Sequence, residues 1–226
     1  MTERPWLATY PAEIPPTIDS ANVPTLVQLL NQAFIEHADK AAMNFMGSQF
    51  SFRQIDQASI ALAAYLQTLS LVKGDRVALM MPNVPQYAVA VAAVLRAGLV
   101  VVNVNPLYTS SELDHQLKDS GAKAMIVLEN FGATVQNCPA HRQLDKIIVC
   151  SMGETLGFLK GAIVNWVVRH SKKLVPAFQL ERSIRYNDAV REGERHQFSP
   201  VEVGLDDIAA LQYTGGTTGV AKGAVL

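Results

Sequence analysis

The sequence predicts an α/β fold, a mainly parallel β-sheet with flanking helices, on three observations. Four apolar runs, Arg76 to Met81, Leu99 to Val104, Lys123 to Leu128 and Lys146 to Cys150, recur about every 23 residues with helical patterns between them. That is the rhythm of βαβ units, whose strands are buried on both faces and so read as unbroken apolar stretches. Gly98 and Gly121 stand where helices between these runs must stop in a left-handed cap. Finally, 226 residues that are 49% hydrophobic and 17% charged can fill a substantial core. Such a chain is not a disordered tail, a collagen-like repeat or a disulfide miniprotein.

Each element follows in order. Residues 1–24 carry Pro5, Pro11, Pro15, Pro16 and Pro24 with little periodicity and read as an extended N-terminal arm, of a kind that can reach a second subunit in a homodimer. Residues 25–226 form the main body. Leu26, Leu29, Leu30, Ala33 and Phe34 follow helical spacing, and Ala41 to Met46 and Gln49 to Phe52 flank Gly47-Ser48 as a small hairpin. Ser51 and Gln54 make a capping box for a helix whose apolar face holds Ile55, Leu62, Leu66 and Leu69. The βαβ sheet spans 76–150. Its charge-free stretch between Arg76 and Arg96 is long enough to cross a bilayer, but Pro82, Asn83, Pro85 and Gln86 break it, so no transmembrane helix is expected. Thr109 and Glu112 give a second capping box before Leu113 and Leu117.

Residues 152–180 read as a helical insert, with a helix from Thr155 to Val168 followed by Arg169, His170, Lys172 and Lys173. Leu156, Leu159, Ile163 and Trp166 line one helical face, which either packs on the protein's own core or makes peripheral membrane contact through 155–173. The spacing Gly157-x-x-x-Gly161 suits close helix packing. A polar stretch then runs to Ser199-Pro200, and Asp206 to Tyr213 returns to a strand.

Nineteen Lys and Arg against 20 Asp and Glu leave a formal charge of -1, so no global field recruits nucleic acid and an anionic ligand must be held locally. Cys138 and Cys150 are too few for a disulfide framework and lack CxxC spacing, which points to buried reduced thiols in a cytoplasmic protein. His37, His115, His141, His170 and His196 show no paired ligand spacing, and no metal ligand is expected among them. There is no GxSxG elbow.

The segment that carries chemistry is 213–223, Tyr213-Thr214-Gly215-Gly216-Thr217-Thr218-Gly219-Val220-Ala221-Lys222-Gly223, between two apolar runs. Gly215, Gly216 and Gly219 leave backbone N–H groups uncovered, Thr214, Thr217 and Thr218 add hydroxyls, and Lys222 adds a mobile charge. A loop of this composition is suited to wrapping polyphosphate. Walker A spacing does not apply, because Lys222 lies three residues beyond Gly219 and precedes Gly223, and GxGxxG does not match either. The plain alternative is a hairpin turn, yet two residues would reverse the chain, and turn chemistry calls for neither three threonines nor a lysine.

Residues 213–223 closely resemble the signature phosphate loop of the adenylate-forming enzymes, the superfamily of acyl-CoA synthetases, peptide-synthetase adenylation domains and luciferases. Gly215 stands where that family usually has serine and Ala221 where it has proline, and both departures resemble bacterial long-chain fatty acid–CoA ligases. Arg76 to Asn83, Arg96-Ala-Gly98 and Val101 to Thr109 are similar to the same group's N-terminal half. The resemblance implies the N-terminal portion of the adenylate-forming large domain. It implies ATP-dependent activation of a long-chain fatty acid to acyl-CoA through an acyl-adenylate, with ATP, Mg²⁺ and coenzyme A as co-substrates. Lys222 and Thr217 are the implied catalytic residues, and Tyr213, Thr214, Gly215, Gly216, Thr217, Thr218, Gly219, Lys222 and Gly223 the implied nucleotide-binding set. The family's Mg²⁺ acid, ribose aspartate, hinge and catalytic lysine of a C-terminal domain are expected outside this sequence, so by itself the chain is expected to be an inactive fragment, its loop lacking a partner strand. The alternatives are a medium-chain or aromatic acyl-CoA ligase, or a non-catalytic binding or assembly module. The expected location is cytoplasmic, with peripheral attachment to the inner face of the cytoplasmic membrane.

Overall fold

A computed structural model describes residues 4–17, 23–214 and 221–226 of the chain. In the arm, Pro5–Thr9 forms a short 3₁₀ turn with no buried residue, so Trp6 and Tyr10 lie exposed rather than in a uniformly extended segment. Helix α1 (Leu26–Glu36) opens on a capping box between Thr25 and Gln28, and the hairpin β1 (Ala41–Phe45) and β2 (Ser48–Ser51) leads into α2 (Phe52–Thr68). The Ser51–Gln54 box forms in both directions: Ser51 N–H donates to Gln54 Oε1 at 2.9 Å, and Gln54 N–H to Ser51 Oγ at 3.2 Å. Each such cap is worth about 1 kcal/mol.

The βαβ rhythm becomes β3 (Arg76–Met80), α3 (Pro85–Arg96), β4 (Val100–Asn103), α4 (Ser110–Ser120), β5 (Ala124–Leu128), the short α5 (Gly132–Gln136) and β6 (Lys146–Cys150). Pro85 opens α3, where its missing N–H and fixed φ cost nothing. Gly121 caps α4 at φ 60°, and glycine is needed twice over: a Cβ there would also press on the Arg76 guanidinium, which donates to the Ser120 and Gly121 carbonyls. Three further elements follow α6 (Phe158–Trp166), namely β7 (Ser183–Arg185), α7 (Tyr186–Gly193) and β8 (Ala210–Thr214), and β9 (Lys222–Val225) ends the described chain.

The seven strands lie in the order β7-β6-β5-β3-β4-β8-β9, all pairs parallel except β8 with β9. Alternate strand residues feed two cores. Val77, Leu79, Val101, Ile126 and Ile148 meet Leu62 and Leu66 of α2, Val89 and Ala93 of α3 and Ala189 of α7. Ala78, Met80, Met125, Val127 and Ile147 meet Leu113 and Leu117 of α4 on the other side. Every residue of β5 is buried, as its central place between two helical layers requires. Each large side chain so removed from water contributes roughly 1.5–3 kcal/mol.

The structure corrects the reading of 151–226 in four places. The helix of the insert starts at Phe158 rather than Thr155, because Gly157 at φ 81° cannot continue a helix, and Val167–Ser171 widens into a π turn; no helix follows to residue 180. Gly161 does pack closely, but on the backbone of Gly153, not through Gly157. The polar stretch hides β7 and the helix α7, whose Gly193 lies directly on the Ala61 carbonyl of α2. The last strand before the loop begins at Ala210 rather than Asp206, since Asp207 is held in a turn, accepting from Gly204 N–H at 2.7 Å and pairing with Lys73 at 2.7 Å. Cys138 and Cys150 are buried and unbridged. Among the described residues no helix is long and apolar enough to cross a membrane.

Candidate functional site

Strands β8 and β9 carry the two flanks of the glycine/threonine loop. β8 enters it from the edge of β4 through three parallel pairs, Val101↔Ala210, Val102↔Leu211 and Asn103↔Gln212. β9 returns antiparallel, pairing Thr214↔Lys222, Tyr213↔Gly223 and Gln212↔Ala224. The expectation of a loop without a partner strand is therefore overturned: hydrogen bonds to β4 and β9 fix both flanks. Gly215, Gly216, Thr217, Thr218 and Gly219 lie outside the described residues. Thr214 and Lys222, directly opposite each other, have their side chains on one face and exposed. The loop leaves at the carboxyl end of β8, the end of a parallel sheet where ligands of open α/β folds bind.

Tyr213 and Gly223 occupy the other face. Tyr213 is buried, and its hydroxyl donates to Asp119 Oδ2 on α4. Burial, then the Asp119 carboxylate, raises the phenol's pKa above its ordinary value, so it remains a donor at neutral pH. Its ring crosses Gly223, where a Cβ would come within 3.0 Å of ring carbon, which explains a glycine in the middle of β9. Of the nucleotide-binding set, the structure thus brings Thr214 and Lys222 to one exposed face and turns Tyr213 inward with Gly223.

Sequence reasoning missed the groups that hold β8. Tyr87 Oη on α3 donates to Asn103 Oδ1 at 2.9 Å, and Asn103 Nδ2 donates to Gln212 Oε1 at 2.9 Å. Gln116 Nε2 of α4 donates to the Asn103 carbonyl at 2.8 Å. Asn103 lies within the Val101 to Thr109 stretch, but no local pattern announces a partner 109 residues away. Among the described residues no three His, Cys, Asp or Glu side chains converge as a metal site.

Comparison with known proteins adds a family-level result. A family model described as AMP-binding enzyme matches residues 30–226. A long-chain-fatty-acid–CoA ligase of Salmonella typhimurium is 49% identical over 98% of this chain and 40% of its own length, and one of Haemophilus influenzae is 43% identical over 99% and 40%. The chain therefore spans about 40% of the length of these relatives. Among solved structures, an anthranilate CoA ligase in complex with anthranoyl-AMP superposes with a TM-score of 0.71 at 20% identity, covering 92% of this chain and 36% of that one. A benzoate CoA ligase from Burkholderia xenovorans gives 0.63 at 22%, covering 90% and 34%. At these identities the structural matches establish a shared fold.

Proposed function

Since the chain belongs to the AMP-binding enzyme family, we propose that it supplies the ATP phosphate loop of a ligase that activates long-chain fatty acids to acyl-CoA. The observation that carries this reading is the strand–loop–strand unit that sets Lys222 opposite Thr214 at the carboxyl edge of the sheet. Long-chain acids are favoured over medium-chain or aromatic ones because relatives 43–49% identical bear the long-chain name.

In the first step a carboxylate oxygen of the fatty acid attacks the α-phosphorus of ATP, and the bond to the departing pyrophosphate breaks. No general base is needed, because a carboxylate is already a nucleophile at neutral pH. Negative charge grows on the α-phosphate and on pyrophosphate, and groups aimed at it lower the barrier. We assign that role to the main-chain N–H groups of 215–219, the hydroxyls of Thr214, Thr217 and Thr218, and the ammonium of Lys222, with Lys222 and Thr217 acting on the reacting phosphate. Tyr213 and Gly223 hold the frame. Mg²⁺ would neutralise the polyphosphate when bound; no group of the described residues is assigned to it. In the second step the thiol of coenzyme A attacks the acyl carbon, AMP leaves with the electrons of the C–O bond, and the thiol proton goes to solvent.

The test is Lys222→Ala in the full-length ligase that carries this chain, read as pyrophosphate release from palmitate and ATP. Loss of one preorganised cation should cost on the order of 2–4 kcal/mol in the adenylation step. Release at the parental rate would remove Lys222 from the mechanism.

One observation favours a second, compatible element of this reading: a cytoplasmic enzyme held peripherally on the inner face of the membrane through α6. Phe158, Leu159, Ile163 and Trp166 are 89%, 74%, 64% and 60% exposed. At 100° per residue these four, with Ala162, fall in an arc of roughly 140°. Leu156, expected on the same face, is buried instead in the preceding turn. Exposed His170, Lys172 and Lys173 continue from the helix, and each Lys near anionic lipid adds roughly 1 kcal/mol. Co-sedimentation with phosphatidylglycerol vesicles should weaken in high salt and on Trp166→Ala. Equal pelleting with neutral phosphatidylcholine vesicles would refute the electrostatic part.

A further inference from the structure

We propose that Asn103 is a positioning residue for nucleotide binding: with Tyr87 and Gln212 it sets the register of the strand that delivers the phosphate loop. The inference rests on the function proposed above and adds residues outside the loop to it.

The starting point is how little holds β8. It meets β4 over three residue pairs, and its other neighbour, β9, is four residues long and forms the edge of the sheet among the described strands. The first two β4 pairs join aliphatic side chains, whose attraction has no direction. The third pair, Asn103↔Gln212, is the last before the chain leaves for the loop, and it alone adds a directed side-chain bond, Asn103 Nδ2 to Gln212 Oε1 at 2.9 Å. Side chains alternate along a strand, so Gln212 and Thr214 share a face, together with Lys222 opposite Thr214. A slip of one residue would carry Thr214 and Lys222 to the wrong side of the sheet.

The Asn103 amide uses both its ends: its Oδ1 accepts from Tyr87 Oη, and its NH₂ faces Gln212. The Gln212 amide must then present its oxygen, and its NH₂ points away from Asn103. The backbone of Asn103 is held independently by Gln116, whose side chain is buried. On the opposite face Asp119 receives the Tyr213 hydroxyl. Two successive residues of β8 are thus tethered from opposite faces immediately before the loop, to α3 through Asn103 and to α4 directly.

The test uses the full-length ligase that carries this chain, with ATP–pyrophosphate exchange supported by palmitate as the readout. Asn103→Ala removes both directed bonds and should raise the KM for ATP about ten-fold, with the KM for palmitate within two-fold of parental. Tyr87→Phe keeps the ring and deletes one hydroxyl, and should move the ATP KM two- to three-fold in the same direction at an unchanged thermal midpoint. If Asn103→Ala does not fold, Tyr87→Phe decides alone. An ATP KM within experimental error of parental in the deciding variant overturns the proposal, and so does an equal rise in both KM values with a falling thermal midpoint. Absence of exchange in the parental enzyme would refute the ligase reading itself; exchange in the parent with an unmoved ATP KM in the variants refutes the positioning role alone.

Discussion

Glu154 offers a sharp test of how the turn between β6 and α6 is held. Its Oε1 accepts from Ser151 N–H at 2.8 Å and from Gln86 Nε2 at 3.2 Å, while Gln86, fully buried, also donates to the Ser151 carbonyl at 2.9 Å. Burial dominates its titration and, reinforced by the Glu129 carboxylate, outweighs these bonds, raising the carboxyl from 4.5 to about 7. Between those two pH values the unfolded chain has released a proton that the folded chain still holds. The folded state therefore binds more protons, and stability must fall as pH rises through that window. At 1.36 kcal/mol for each tenfold change in proton affinity, the full penalty above pH 7 is roughly 3 kcal/mol, and partial solvent contact makes that an upper bound. Glu154→Gln keeps the acceptor oxygen and removes the charge. Urea unfolding should find the variant close to parental at pH 4 and more stable by about 2–3 kcal/mol at pH 8.5. A difference that does not change with pH, or a variant less stable at pH 8.5, would refute the reasoning.

Two further predictions concern packing. Arg96 is buried, with Nε and Nη2 donating to Asn31 Oδ1, Nη1 to Ser59 Oγ at 2.6 Å, and Nη2 to Asp56 Oδ1. Arg96→Met should cost about 3 kcal/mol in urea unfolding, at the low end for a broken buried pair because Asp56 is 28% exposed and can rehydrate; a loss below about 1 kcal/mol would contradict that account. Gly193→Ala would drive a Cβ into the Ala61 carbonyl oxygen, a backbone atom that cannot swing aside. It should destabilise by about 3 kcal/mol or more and separate α7 from α2, visible as faster hydrogen exchange in 186–193, and parental exchange rates would refute it.

What was legible in the sequence follows from how each element is stabilised. The four strands from Arg76 to Cys150 stand out because a strand buried on both faces has no alternative to an apolar run. The Ser51–Gln54 and Thr109–Glu112 caps are readable because both partners lie within four residues of chain. β7 and α7 were not, since Ser183–Arg185 is a three-residue edge strand and α7 is mostly polar, with the small residues Ala189 and Gly193 at its contact with α2. A missing side chain leaves no hydrophobic signal.

The chemistry proposed for the loop was read from sequence, because glycines, hydroxyls and one lysine are properties of residue type and order. Tertiary structure alone decided where that chemistry faces. Whether Lys222 stands opposite Thr214, and whether Tyr213 turns inward to Asp119, depend on strand pairing and on a partner 94 residues distant in the chain. It also decided that α6 shows Phe158, Leu159, Ile163 and Trp166 outward, because Gly161 and Asn165 on its other side bind the Gly153 backbone. Periodicity marks an apolar face but cannot say what, if anything, covers it, since hydrophobic attraction is non-directional and the covering partner is set by contacts distant in sequence.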